Sequence, residues 1–443
     1  MIANMTRNLQ TNIRKLDRTQ LEYNTGKKIH RPSDDPVGIT RVLKIKSDRS
    51  ELAQFKKNVE DASSWLENTE GAILGLVSDT GTLVRLRDIM IQGANGTLTA
   101  EQTKNIQNEV EQIKQQIISM GNTTYSGNYI FSGKNTDKPL LNADGTYNIN
   151  PTQFLDKGIV DHRINYMVGV GEELNINTVG TALFEAVDLS MNITLPEAGK
   201  IKEINFLGAK ISVAGNTATP INYDLKIDIE GIGKIEIPGL ADEAAIYNEI
   251  NDIFMNINDY DKPYDPLDPA KKHPTKPTLT FEQDASADPT ITPKEAWNKL
   301  LLGKEIPVDI NNLDFKTFTN SGEVKGIVAQ PKKAGLINLI ERIEQKLIEA
   351  NYEEVSQLLG PLDKFIDKAL AVRGDIGAKV NRTELILGRI EDDAINLREL
   401  QSKLEDADLS ETAIRLMNEE NVYRASLQVG ARIIQPTLLD FLR

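Results

Sequence analysis

The sequence predicts an α+β chain: an elongated α-helical coiled-coil bundle made from both chain ends, with a β-rich domain inserted in the middle. Three observations predict it. Alternate steps of three and four residues from Ile45 meet Ile45, Asp48, Leu52, Phe55, Val59, Ala62, Leu66, Thr69, Ile73, Leu76, Thr80, Leu83, Arg87 and Met90. Most are apolar and the exceptions fall singly, which is a heptad seam. The same step returns near the other end, from Leu362 through Ile366, Ala369, Ile376, Val380, Leu387, Ile390, Ala394 and Leu397 to Leu404. Between the seams the texture changes: 13 of the 18 prolines lie from Pro139 to Pro307, and apolar residues alternate with a period of two.

The opening arm, residues 1–35, carries a weaker seam of Met5, Leu9, Asn12, Leu16, Thr19 and Tyr23. Four large side chains at about 1.5–3 kcal/mol each do not offset the backbone ordering of such a segment, at about 1–2 kcal/mol per residue. With its counterpart at 405–443, this arm is expected to be disordered in the monomer. Gly26 stops the helix. In the connector Arg31-Pro32-Ser33-Asp34-Asp35-Pro36, either aspartate can cap the next helix and Pro36 suits its first turn. The alternative, a carboxylate pair for a metal, lacks a third ligand nearby.

Residues 36–135 with 332–404 form the expected long-helix bundle with a short β element. No proline interrupts Ile45 to Met90, so a rod of roughly 70 Å is predicted, with a bend allowed near Gly71, Gly75 and Gly81. Asn95-Gly96 turns the chain, and Thr99 with Gln102 forms a capping box. The returning helix, with Ile106, Val110, Ile113, Ile117 and Met120, is predicted to lie antiparallel on the rod. Tyr125 to Gly133 reads as a short strand between glycine turns.

Residues 136–331 read as a β-rich variable insert, one domain or two small ones. Alternation marks Ile204, Phe206; Ile211, Val213; Leu225, Ile227, Ile229; and Ile235, Ile237, with a turn at Gly231-Ile232-Gly233. Asn142-Ala143-Asp144-Gly145 looks like a hairpin turn. One helix, Ala241 to Ile257, interrupts the strands, placing Ile246, Ile250, Ile253 and Ile257 on one face. Pro263 to Pro277 is a proline-dense loop with Lys271 and Lys272. The final seam runs Leu409, Ala413, Leu416, Tyr423, Leu427, Ile434 and Phe441, and Pro436 is expected to bend or end it.

Chemistry is sparse. Net charge is −14 and pI near 5.0, which argues against nucleic acid or an anionic membrane as the main partner. There is no cysteine, and His30, His162 and His273 have no ligand spacing. Gly169-Val170-Gly171 lacks the third glycine of a dinucleotide loop and reads as a hairpin turn. Glu391-Asp392-Asp393 and Glu405-Asp406 read as solvated helix faces. No catalytic, cofactor-binding or metal residue is expected, and no membrane-spanning run or hydrophobic signal region is encoded.

Several stretches resemble the flagellin superfamily, and within it the hook–filament junction proteins (third hook-associated protein, FlgL type). They are Gly26-Lys27-Lys28-Ile29, then Pro32-Ser33-Asp34-Asp35-Pro36 with Val37-Gly38, and Asn128-Tyr129-Ile130-Phe131-Ser132-Gly133. At the other end they are Leu404-Glu405-Asp406-Ala407-Asp408, Tyr423-Arg424-Ala425-Ser426-Leu427 and Ile434 to Leu442. The Ser-Asp-Asp-Pro form is typical of the junction branch. The resemblance covers roughly residues 1–135 and 335–443; the insert matches no family. The usual Arg-Ile/Val-Thr opening is absent, so a start upstream or a shortened arm is expected.

The resemblance implies a structural adaptor, not an enzyme, exported unfolded through the flagellar type III apparatus without a cleaved signal peptide. It implies an extracellular place in the flagellum beside copies of itself in an axial ring, an adjacent hook-associated protein and flagellin. An export chaperone would hold the C-terminal region. Met5, Leu9, Leu16, Tyr23, Leu416, Tyr423, Leu427, Ile434 and Phe441 are the expected subunit-packing positions. A filament subunit is the alternative reading. A surface-exposed flagellin-like protein with an enzymatic or binding insert is a third, and the His-Glu-x-x-His helix common in such hydrolases is absent.

Overall fold

In the computed structural model of the chain, the backbone is described for residues 2–94, 100–149, 162–217, 220–257, 280–283, 292–320 and 323–441. Side chains are described for these except 2, 100, 280–283, 318–320, 323–325 and 432–441. Helices α1 (Ile2–Thr25), α2 (Pro36–Val77), α3 (Thr82–Ala94) and α4 (Ala100–Gly121) come first. Strands β1 (Thr124–Tyr125), β2 (Asn128–Tyr129), β3 (Asn165–Gly169) and β4 (Glu172–Asn175) then lead to α5 (Thr181–Phe184). Next are β5 (Ser190–Met191), β6 (Ile201–Phe206), β7 (Ala209–Gly215), β8 (Tyr223–Ile229), β9 (Gly233–Leu240) and α6 (Glu243–Met255). After them come β10 (Thr280–Gln283), α7 (Pro293–Gly303), β11 (Leu313–Asn320) and β12 (Glu323–Pro331). The chain closes with α8 (Gly335–Ile348), α9 (Tyr352–Gln357), α10 (Leu359–Glu405) and α11 (Leu409–Phe441). It divides into two compact units, Met1–Glu60 with Met167–Glu172 and Thr383–Arg443, and Asp61–Tyr166 with Glu173–Arg382.

In the first unit, α2 and α10 run antiparallel, as three side-chain pairs show. Lys46 meets Glu405 at 3.0 Å, Arg49 donates to Gln401, and Lys56 meets Glu391 at 2.7 Å. Their seams supply the apolar filling, with Val42, Phe55, Val59, Ile386 and Ile390 buried. The tip of the β3–β4 hairpin crosses this pair. Asn58 Nδ2 donates to the Met167 carbonyl at 2.7 Å, and Arg389 meets Glu172 at 2.8 Å.

The second unit holds two cores. The helical one gathers Leu66, Ile73, Leu83, Leu86, Met90, Val110, Ile117, Ile340, Ile343, Leu362, Phe365 and Ile376, all essentially closed to solvent. Here the predicted single rod is corrected: it breaks between Val77 and Thr82. The amide of Gly81 turns back to the Ser78 carbonyl at 2.7 Å, and a Cβ on Gly81 would stand 2.5 Å from the Leu76 carbonyl oxygen. The heptad pattern survives the break because both helices face the same core. As expected, α4 lies antiparallel on the later part of the seam, with Arg85 meeting Glu109 and Thr82 meeting Met120, and it also packs on α8. Helix α8, with Leu336, Ile337, Leu339, Ile340, Ile343 and Leu347 buried, is the partner that no heptad seam announced. The expected strand near Tyr129 is a two-stranded hairpin turning at Ser126 and Gly127, both at positive φ.

The β-rich core is a five-stranded antiparallel sheet in the order β10-β9-β8-β7-β6, with a three-stranded sheet β11-β12-β5. The period-two alternation is realised across strands. Ile204, Ile211, Ile227 and Ile235 are successive cross-strand partners on the buried face. Helix α6 buries Ile246, Ile250 and Ile253, with Ile257 just beyond it, and is capped by Asp242. One helix was predicted here; α7 is a second, started by a Thr292–Glu295 capping box. Its Trp297 is fully buried against Phe254 and donates to the Leu207 carbonyl at 2.7 Å. The Asn95-Gly96 turn, the Thr99 capping box, the Pro263–Pro277 loop with Lys271 and Lys272, and His273 lie outside the described residues.

Candidate functional site: the terminal helix pair and its clasp

Both chain ends pass through a break at the same place. Gly26, at φ +67, ends α1, and its amide donates to the Glu22 carbonyl at 2.9 Å. Only Asp406 to Asp408 separate α10 from α11. The two breaks pair like a scrap of β-sheet: Lys28 N donates to Glu405 O and Ala407 N donates to Gly26 O, each at 2.8 Å.

Glu405 sits at the centre of this clasp. Only 5% exposed, it accepts from Lys27 at 2.7 Å and Lys46 at 3.0 Å on one oxygen and from Gln401 at 2.7 Å on the other. Burial disfavours its charge, but the Gln401, Lys27 and Lys46 hydrogen bonds and the Lys27 charge prevail, carrying the carboxyl down to about 2. The reading of Glu405 as part of a solvated face is therefore corrected. Its two lysine partners lie more than 350 residues away, where no local pattern reaches.

The Pro32-Ser33-Asp34-Asp35-Pro36 motif organises the other side of the connector. Asp34 Oδ2 accepts from the His30 and Arg31 amides, at 3.2 and 2.9 Å, which holds its carboxyl below the usual range. Asp35 Oδ1 accepts from the Val37 and Gly38 amides at 3.1 and 2.9 Å and is the cap of α2, with Pro36 at the first helical position. A side chain at position 38 would press on the Asp35 carboxylate and displace the cap, and Gly38 avoids this. Both carboxylates are thus engaged by backbone donors.

Beyond the clasp, α1 and α11 lie antiparallel. Asn12 Nδ2 donates to Ser426 Oγ at 2.9 Å, Arg415 meets Glu22 at 3.1 Å, and Met5 lies over Gly430. The expected packing positions Met5, Leu9, Leu16, Leu416 and Tyr423 are half-buried on this pair. Tyr23 and Leu427 remain 44% and 43% exposed. The side chains of Ile434 and Phe441 are outside those described; the helix itself runs on through Pro436 to Phe441, so the expected ending there is corrected. Among the described residues, no apolar side chain of α1 or α11 is buried; the buried ones are Thr19, Glu22 and Thr412. Along one side runs an open groove of about 490 Å3, lined by Met5, Leu9, Val422, Ala425 and Val429 with Asn4, Asn8 and Ser426. Ile414, Met417 and Val422 stand more than half exposed. The pair is held in register by polar contacts while its apolar surface stays open.

Elsewhere, among the described residues, no three His, Asp or Glu side chains gather as metal ligands, and no helix is long and apolar enough to cross a membrane. His30 bonds Thr25 Oγ1 at 2.6 Å, and His162 is buried far along the chain.

Residues 1–136 match the bacterial flagellin N-terminal helical region. The chain is 29% identical over 142 residues to the flagellar filament 41 kDa core protein of Borreliella burgdorferi, covering 32% of this chain and 41% of that one. It is 22% identical over 221 residues to flagellar hook-associated protein 3 of Escherichia coli, covering 48% and 65%. The matched parts thus span less than two thirds of these relatives' own lengths. Among solved structures it is similar to flagellar hook-associated protein 3 from Legionella pneumophila, with TM-score 0.43, 17% identity, and coverage of 82% of this chain and 98% of that one.

Proposed function

We propose that this chain is a structural subunit of the bacterial flagellum, an adaptor that joins hook to filament. The observation that carries this reading is the terminal helix pair, held by polar pins and a charged clasp yet without one buried apolar side chain among its described residues. Surface of that kind gains stability only when other chains cover it. Neighbouring copies in an axial ring, an adjacent hook-associated protein and flagellin are the partners that suit it. Before assembly the arms 1–35 and 405–443 are loose beyond the clasp that tethers them, an export chaperone covers the C-terminal seam, and the chain leaves the cell unfolded through the type III apparatus. The flagellin N-terminal match and the junction-type Ser-Asp-Asp-Pro motif support the reading.

Deletion of the gene in its native cells tests it: hooks remain intact while filament subunits are shed into the medium. Loss of the hook itself overturns the adaptor role. A filament subunit is the second reading, favoured by the filament-protein relatives. Purified chain that polymerises alone into long filaments would establish it instead.

A further inference from the structure

In the second unit the chain crosses from the helical core to the β-rich core and back, and both crossings meet at one carboxyl oxygen. The buried β-rich core begins at Leu189 and ends at Ala329. Glu185 stands on the way in and Gly335 on the way out. Glu185 is 4% exposed, and its Oε1 accepts from the Tyr147 hydroxyl and the Gly335 amide, each at 2.8 Å. Its Oε2 lies so close to Gly335 that a Cβ there would stand 2.5 Å away.

Tyr147 belongs to a turn that is stitched to the outgoing crossing. Thr146 bridges Lys333, and Ala334 N donates to Gly145 O at 3.1 Å. Phe184, just before Glu185, closes against Gly121 at the end of α4, where a Cβ would stand 2.7 Å from its ring. Three segments therefore meet at this carboxyl, and the end of α4 packs against the residue beside it.

Of the charged groups around it, Asp144, Lys333, Asp375 and Lys379 are engaged with other partners. From the turn, Asp144 accepts from Thr146, and from the outgoing crossing Lys333 is paired with Glu341 of α8 at 2.7 Å. Asp188, Lys368, Asp375 and Lys379 line the adjoining groove of about 500 Å3, with Lys379 paired to Asp375 at 2.8 Å. Among the described residues, the donors to the Glu185 carboxyl are the neutral Tyr147 hydroxyl and Gly335 amide.

We infer that Glu185 is a proton-operated latch: its neutral carboxyl ties the two crossings together, and ionisation releases them. A buried carboxylate without a cation is costly, whereas the neutral acid fits between these donors. In keeping with this, burial pushes the Glu185 carboxyl up to about 8 against the opposing pull of Gly335 and Tyr147. Burial likewise raises Tyr147 well above its ordinary value, so its hydroxyl remains the donor. Because the closed form holds its proton more tightly than the open form, the latch is strongest below the ordinary glutamate range. Its closed-to-open ratio falls about tenfold per pH unit as pH rises from there towards 8, then levels.

Hydrogen exchange of the full-length chain and of Glu185→Gln at matched pH tests this, since intrinsic exchange cancels in the ratio. In a peptide containing Gly335, the wild-type to variant ratio rises about tenfold per pH unit and levels above pH 8, while strand β8 shows a flat ratio. A flat ratio at Gly335, or an equal rise in β8, overturns the latch. Should the variant fail to fold, the carboxyl carbon of Glu185 in the unaltered chain decides by NMR titration: a midpoint near 8 supports the latch, and an ordinary glutamate midpoint overturns it.

Discussion

The terminal pair of α1 and α11 and the helical core around α3, α4 and α8 are built from similar amphipathic patterns but put them to opposite use. In the core, Leu83, Leu86, Met90, Val110, Ile117, Ile340 and Ile343 are closed to solvent, at about 1.5–3 kcal/mol for each large side chain. In the terminal pair Asn12 meets Ser426 and Glu22 meets Arg415, the apolar positions Met5, Leu9, Leu16 and Leu416 are only half-buried, and Ile414, Met417 and Val422 face outward. Polar contacts fix which residue stands opposite which, at small net gain in stability. Apolar burial supplies the stability, and here it is withheld. A pair aligned but not satisfied suits a surface that other chains complete.

Four substitutions sharpen or break that contrast. The largest effect belongs to the well-filled β-rich core: Phe254→Ala removes a ring stacked on Phe206 and met edge-on by Trp297 and Phe315 and costs about 3–5 kcal/mol. Urea unfolding followed by circular dichroism measures it; a loss under about 1 kcal/mol would mean that this core is loosely packed.

Next comes the clasp. Glu405→Gln leaves Lys27 and Lys46 without their shared carboxylate and costs about 1–3 kcal/mol. The wild-type carboxyl is depressed to about 2, so its contribution is whole above the ordinary glutamate range and is lost as pH falls from about 4.5 towards 2. Wild type and variant should therefore converge in acid. Protease cleavage between α10 and α11, followed against pH, reads this directly, and a constant difference down to pH 2 contradicts it.

A smaller effect is expected at the cap. Asp35→Ala strips the Val37 and Gly38 amides of their acceptor, for a loss of about 1 kcal/mol. Thermal melting of the same helix signal detects it as a shift of a few degrees. The smallest is Leu416→Ala, under about 1 kcal/mol in the isolated chain because the residue is only half-buried. Its effect should appear instead in co-assembly, scored by electron microscopy of flagella from cells carrying the variant. A loss in the isolated chain as large as at Phe254 would erase the distinction between the two regions.

Legibility followed the range of the interactions. The seam residues Phe55, Val59, Ala62, Leu66, Ile73 and Met90 are buried as the heptad step predicts, and strands β6 to β9 fall where period-two alternation places them. The Asp35 cap was visible because its partners are two and three residues away. A bend near Gly81 was legible from the glycine itself, but the full break was masked because the apolar pattern carries across it. Helix α7 sits among prolines, where its buried Trp297 is supported by a turn 90 residues earlier. Glu405 reads as part of a solvated face and Glu185 carries no local signal, since what sets them apart is distant lysines in one case and a distant tyrosine and helix start in the other.

The clasp has one more consequence. Glu405 meets Lys27 across 378 positions of chain. Closing so long a loop is entropically costly, and it is impossible for a fragment that stops short of residue 405. Such a fragment carries the whole of α1 and the connector yet has nothing to seat them. The joint therefore reports that the chain has passed residue 407, letting α1 take its place only after the whole of α10 has been made.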